Sequence, residues 1–395
     1  MLQIADPRER RLVAAADGLL RVALAPRRWW RPAVPQRSPV RVLLLRLERI
    51  GDLLMVLPAL ADLRTRLPDA SFDLVVGSWN RSLAEAIPGL TRVETLDAAW
   101  LARGAAGLKL PALLERARGW RERHYDLAIN FEPDIRSNLL LAASGAAFTV
   151  GYQSGGGGPL LDRPLDYDPR AHTADNARRL VAAVVNGHSS DGQARLDLAD
   201  DLRREAARRL EAAGSGPLVG VHVSAGRAVK QWDPARFAAA ARQLAAQCGA
   251  TIVLTGAPDD APLVAAVRAD LGGCRVIDVS GDLDLTLLAA ILERLDLLIT
   301  GDTGPMHLAV AAGTPVVAIF GPSDPARYGP RGPHDRVVRI DLPCSPCNRI
   351  RQPPARCVGH TPDCLALLPT TRVVEAALDA LSASGALTRA HAGRA

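Results

Sequence analysis

Three short segments of this chain place charged or hydrogen-bonding side chains where an apolar run gives way to a turn. The first is Arg46-Leu47-Glu48-Arg49-Ile50-Gly51-Asp52, followed by Leu53–Leu60. An apolar run, 42–47, ends, a glycine turns the chain, and a carboxylate stands where a helical pattern opens. Such a carboxylate can take the proton of an alcohol nucleophile, and a helix N-terminus keeps it ionised. It can equally cap the helix through a backbone N–H. Several ionic groups at the carboxyl end of a buried strand are costly unless they face a cleft. On this segment alone the cap is the favoured reading of Asp52; for a general base Asp52 is the candidate, with Glu48 as its nearest rival.

The second segment is Ser224-Ala225-Gly226-Arg227-Ala228-Val229-Lys230-Gln231-Trp232-Asp233-Pro234. Small residues let backbone donors approach a phosphate, and a cation neutralises it. Lys230 and Lys109 are the only lysines in a chain whose other basic residues are all arginine. Asp233-Pro234 reads as an N-cap and a first-turn proline. The third segment is Thr300-Gly301-Asp302-Thr303-Gly304-Pro305-Met306-His307. It leaves a strand and opens a helix, so Asp302 or Thr303 can cap it. Two glycines, an acid and a histidine within one turn exceed what a cap requires, and free N–H groups there suit a diphosphate or sugar hydroxyls. Asp282-Leu283-Asp284 matches a metal-binding Asp-x-Asp pattern, but Asp284 is placed to cap the helical run that follows.

A fourth constellation is Cys344, Cys347, Cys357 and Cys364, with His360 among them. A C-x2-C pair followed by two further thiols resembles a structural zinc or iron site. Reduced thiols without metal are the competing reading. Cys248 and Cys274 read as core thiols.

The elements that position these segments alternate apolar strands with helices, which implies parallel sheets joined by crossover helices. Strands are expected at 42–47, 72–76, 126–131 and 148–151, then at 218–223, 251–255, 275–279, 296–300, 315–320 and 336–340. One helix is expected over 52–67, others over 200–213 and 237–248, and a last one over 371–381. Gly155–Gly158 reads as a loop, because no helix opens directly after it. The organisation is an extension at 1–39, a first domain at 40–195, a linker helix at 196–215, a second domain at 216–370, and a closing helix and tail at 371–395. The fold class is α/β, with two Rossmann-like domains facing across a cleft and ligands at the strand carboxyl ends.

The chain has 395 residues and a net charge of +6 from 48 basic and 42 acidic residues, which gives no case for nucleic acid. No run of about 18 apolar residues reads as a membrane span. Charges at Asp6, Arg8, Glu9, Arg10 and Arg11 stand where a secretory signal would be apolar, so the expected compartment is the cytoplasm. A helical stretch over 8–25 leads into Arg27-Arg28-Trp29-Trp30-Arg31. That pattern fits either an interfacial membrane anchor or a helix packed on the first domain.

Taken in order, the three segments, together with Phe320-Gly321-Pro322-Ser323-Asp324-Pro325 and Pro343-Cys344-Ser345-Pro346-Cys347, resemble glycosyltransferase family 9, the ADP-heptose:lipopolysaccharide heptosyltransferases. The resemblance runs from Val40 to the last helix. It implies the two-domain GT-B architecture and inverting transfer of heptose from ADP-heptose to a lipopolysaccharide inner-core acceptor. No cofactor is required for catalysis, and the work lies at the cytoplasmic face of the inner membrane. The first domain would hold the acceptor, with Arg46, Arg49 and Arg136, and the second the donor. Asp52 aligns with the general base and Lys230 with the lysine on the diphosphate. Ser224, Asp302, Thr303, Gly304 and His307 would hold the donor, and Gly256 through Asp259 and Asp260 the nucleoside, with an aspartate on the ribose. Asn130-Phe131-Glu132 departs from the acid-then-glutamine pattern of many relatives, and the N-terminal extension is absent from the best-known ones. Protein O-heptosyl transfer by a member with an iron-bearing cysteine cluster is the alternative within the family. A nucleotide-sugar epimerase or dinucleotide oxidoreductase is the rival from another class, against which no Gly-x-Gly-x-x-Gly follows the first strand.

Overall fold

The computed structural model describes residues 2–4, 6–25, 40–101, 107–186 and 194–388. The chain divides into two compact units, residues 1–194 and 195–395.

The first unit carries β1 (Arg41–Arg46), β2 (Ser71–Val76), β3 (Arg92–Thr95), β4 (Leu127–Asn130), β5 (Phe148–Tyr152) and β6 (Arg163–Leu165). They form one sheet in the order β3-β2-β1-β4-β5-β6, and every pair is parallel. Its central strands are buried on both faces, so they read as near-continuous apolar runs. Leu43, Leu45 and Ala128 share a core with Trp120, Leu140 and Leu141. The order reverses between β1 and β4, which opens a crevice at their carboxyl ends. The helix expected over 52–67 is two helices, Ile50–Leu54 and Leu57–Arg66. Pro58 explains the break, because its ring lacks an N–H and clashes with the carbonyl four residues back.

An N-terminal helix, α1 (Pro7–Ala23), is capped by Asp6, which accepts from Arg8 N–H and Glu9 N–H at 2.7 and 3.0 Å. It packs on the glycine loop that follows β5. Gly157 N–H donates to Asp17 Oδ1 at 2.6 Å, and Val13 fills the space where a Cβ on Gly156 would stand. Gly156 has φ +93°, which only glycine adopts without strain. Trp29 and Trp30 lie outside the described residues. Among the described residues no helix is long and apolar enough to cross a membrane.

The second unit repeats the plan with β7 (Leu218–His222), β8 (Thr251–Thr255), β9 (Val276–Asp278), β10 (Leu297–Gly301), β11 (Val316–Ile319) and β12 (Arg336–Val338). The order is β12-β11-β10-β7-β8-β9, again all parallel, with the reversal between β7 and β10. Trp232 and Phe237 meet edge to face at 4.9 Å in its core.

Candidate active site

In the first unit the polar residues gather where β1 and β4 end. Arg46, the last residue of β1, is 3% exposed and spends its donors locally. Its Nη1 donates to Phe131 O at 2.6 Å and lies 3.1 Å from Glu48 Oε2. Its Nε donates to Asp52 O at 3.2 Å, and its Nη2 lies 3.3 Å from Asp52 Oδ1. Burial alone would lower the Arg46 pKa, but the charges of Glu48 and then Asp52 outweigh it and hold the cation. Arg46 thus orients Asp52 from behind while about a third of the Asp52 side chain stays exposed (32%). Asp52 is not the helix cap: the cap position is Arg49, without a side-chain bond, and Asp52 lies inside the first turn.

Glu132, just beyond β4, is 1% exposed. Its Oε1 accepts the backbone N–H of Leu47 and, at 2.9 Å, of Glu48. Burial, then the nearby Glu48 charge, pushes its pKa from 4.5 up to about 8, against the pull of Arg46 and the Leu47 N–H. Asn130 ties the same turn together, accepting Glu132 N–H at 3.0 Å and donating to Asn138 Oδ1 at 2.8 Å. Arg49 is exposed beside this cluster in sequence. Arg136 is half-buried, paired with Asp134 and stacked 4.5 Å over the Trp100 ring.

In the second unit the corresponding place is the end of β7 and β10. Lys230 Nζ lies 2.7 Å from Asp302 Oδ2, with the two side chains 19% and 11% exposed. Asp302 is free for this because Thr303 takes the capping role, accepting Met306 N–H at 3.4 Å. Gly304 is the first residue of the helix Gly304–Ala312, and His307 is half-buried in its first turn. Asp233 and Asp284 cap their own helices, accepting from Ala235 N–H and Thr286 N–H at 2.8 Å each.

Beyond β8, Gly256 packs against Val264 and Asp260, where a Cβ would come within 2.9 Å of Val264. Asp260 Oδ2 accepts both the Ser224 hydroxyl and the Ala257 N–H at 2.8 Å. Asp259 is exposed and makes no comparable bond among the described residues.

A family model for glycosyltransferase family 9 (heptosyltransferase) matches residues 114–356, more than half of the chain. The chain belongs to glycosyltransferase family 9. It is 24% identical over 316 residues to lipopolysaccharide heptosyltransferase 2 of Escherichia coli K12, covering 76% of this chain and 88% of that protein. The solved family 9 glycosyl transferase of Veillonella parvula matches with a TM-score of 0.76 at 24% identity, over 89% of this chain and 99% of that one. The E. coli ADP-heptose lps heptosyltransferase II structure matches with a TM-score of 0.69 at 20% identity, over 87% and 98%. The fold is accordingly GT-B, and the chain is a glycosyltransferase of the heptosyltransferase family.

In this family 9 chain Cys364 has the other three thiols of the cysteine constellation as electrostatic neighbours. Burial, then Cys347, Cys357 and Cys344, pushes the Cys364 thiol up to about 11. Yet among the described residues no three His, Cys, Asp or Glu side chains converge as a metal site. Cys364 is buried and Cys344 exposed.

Two buried residues near the candidate site were given no role from sequence. Glu132 and His222 stand at strand carboxyl ends, and that position was the available signal. Their partners, Leu47 and Glu48 for the one and Thr255 and Ser224 for the other, come from tertiary pairing.

Proposed function

We propose that this chain transfers heptose from ADP-heptose to a lipopolysaccharide inner-core acceptor with inversion at the anomeric carbon. The observation that carries the reading is the Lys230–Asp302 pair at 2.7 Å, which joins the two donor-side segments at the crevice of the second sheet. Lys230 and the N-terminus of Gly304–Ala312 stabilise the departing diphosphate. Thr303, Gly304 and His307 complete the sugar side, and Ser224, Gly256, Asp259 and Asp260 the nucleoside side. Asp52, oriented by Arg46, removes the proton of the attacking hydroxyl, and Arg49 and Arg136 face the acceptor. The names of the relatives, lipopolysaccharide heptosyltransferase and ADP-heptose lps heptosyltransferase, support the donor and acceptor classes.

The enzyme works at an anionic membrane surface, and α1 supports that part of the reading. Val13 and Asp17 face the first unit, whereas Leu12, Leu19 and Val22 are 72%, 74% and 78% exposed. Helical spacing puts these three on one stripe opposite Val13, and Arg8 and Arg11 accompany them at the N-terminal end. The two sequence readings of this segment are compatible, because the helix packs with one face and leaves the other exposed.

A thermal-shift panel of nucleotide sugars tests the donor, since a specific ligand raises the melting temperature by mass action. ADP-heptose and ADP should stabilise the protein, and UDP-sugars should not. Stabilisation by UDP-sugars alone would replace the donor assignment.

A further inference from the structure

The ends of β7 and β8 carry a chain of side-chain hydrogen bonds that donor binding alone does not require. His222 closes β7 and pairs in register with Thr255, which closes β8. Thr255 Oγ1 lies 3.0 Å from His222 Nδ1, and His222 Nε2 lies 3.0 Å from Ser224 Oγ. Ser224 Oγ then donates to Asp260 Oδ2 at 2.8 Å. His222 and Thr255 are buried, while Ser224 and Asp260 are half-buried at the end of the chain of bonds.

The Ser224–Asp260 bond sets the direction of the others. A hydroxyl has one hydrogen, and a carboxylate only accepts. Ser224 gives its hydrogen to Asp260, so toward His222 its oxygen is an acceptor and Nε2 carries a proton. Burial lowers the His222 pKa to about 4, despite the opposing attraction of Asp260 and the Thr255 backbone, so the imidazole is neutral. Nδ1 is then bare and accepts the Thr255 hydroxyl. Every donor points toward Asp260, whose Oδ2 is filled by Ser224 and Ala257. Its Oδ1 has no partner among the described residues.

We propose that His222 is a positioning residue: through Nε2–H it commits the Ser224 hydroxyl to Asp260, which presents Asp260 Oδ1 to the vicinal hydroxyls of the donor ribose. The inference rests on the assignment of Asp260 to the nucleoside. A carboxylate held by supporting bonds recognises a diol at lower cost than a mobile one. Without the Nε2–H, the Ser224 hydroxyl is free to turn away from Asp260 and release it.

Calorimetry with ADP and with 2′,3′-dideoxy-ADP reads this directly. Wild type should prefer ADP. His222→Leu should lose roughly 10-fold in ADP affinity, the scale of one hydrogen bond, with dideoxy-ADP affinity unchanged. His222→Gln, whose amide N–H can reach the Nε2 position, should recover most of the preference. Thr255→Val keeps the packing and removes only the donor to Nδ1, so it carries the test if His222→Leu does not fold. It should also move the imidazole ¹⁵N signals away from the Nε2–H pattern that wild type shows. Equal loss for both nucleotides, no loss for either, or an Nδ1–H tautomer in wild type would overturn the proposal. Lys230→Ala run alongside separates the causes. If it weakens ADP while His222→Leu does not, His222 alone is misassigned. If Lys230→Ala has no effect on ADP, the donor assignment and this proposal fall together.

Discussion

Lys230 Nζ and Asp302 Oδ2 meet at 2.7 Å across the point where the second sheet reverses its strand order. Lys230 arrives from the loop after β7 and Asp302 from the turn after β10, two strands that lie side by side. The carboxylate fixes the end of a long flexible side chain, so an ammonium is held at the crevice with donors to spare. Thr303, not Asp302, caps the helix that follows.

Replacing Lys230 by alanine removes that cation and leaves Asp302 without it. ADP and ADP-heptose should then both bind more weakly by about 1–3 kcal/mol, the scale of a lost charge-assisted contact. Calorimetry measures it. Unchanged ADP affinity would take Lys230 out of the donor site.

The exposed stripe of α1 should carry membrane affinity. Deleting the helix would also strip Val13 and Asp17 from the Gly156–Gly157 loop, so substitutions on the outer face are the cleaner probe. Leu12→Gln, Leu19→Gln and Val22→Gln together should reduce co-sedimentation with vesicles containing anionic lipid. Turnover of a soluble acceptor should stay the same. Equal sedimentation of variant and wild type would remove lipid as the partner of this face.

Glu132 gives the first unit a signed pH dependence. Its pKa in the fold is raised from 4.5 to about 8, so between these values the folded chain holds a proton that the unfolded chain has lost. The stability this contributes is complete below the unfolded value and is lost as pH rises through the folded one. The melting temperature of wild type should therefore fall more from pH 5 to pH 8 than that of Glu132→Gln. Parallel pH profiles would mean that Glu132 is ionised in the fold.

Much of this architecture could be read from the chain. Strands β1, β7, β8, β10 and β11 are short apolar runs followed by turns, and both halves of each crevice lie in the motifs that follow such runs. The edge strands β3 and β6 went unread. Arg92–Thr95 and Arg163–Leu165 are brief and only partly buried, and the second contains Pro164, so hydrophobic pattern says little about them. The break at Met55–Val56 was legible in Pro58 but was overridden by an apolar run that continues through it. Asp52 showed the limit of local reasoning. Its position suggested a cap as readily as a base, and only the helix start at Ile50 removes the cap. Glu132 and His222 lie further beyond local reach, because each draws its environment from a neighbouring strand.

The central claim is that Asp52 is the base of a heptosyl transfer. The direct measurement is the rate of heptose transfer from ADP-heptose to a lipopolysaccharide inner-core acceptor, compared between wild type and Asp52→Asn. The substitution keeps the shape of the side chain and leaves the donor residues untouched. The rate should fall by about 10²–10⁴-fold, the usual scale for a lost general base, while ADP affinity stays near that of wild type. Near wild-type transfer by Asp52→Asn, with transfer abolished in Glu48→Gln, would contradict the account and move the base to Glu48.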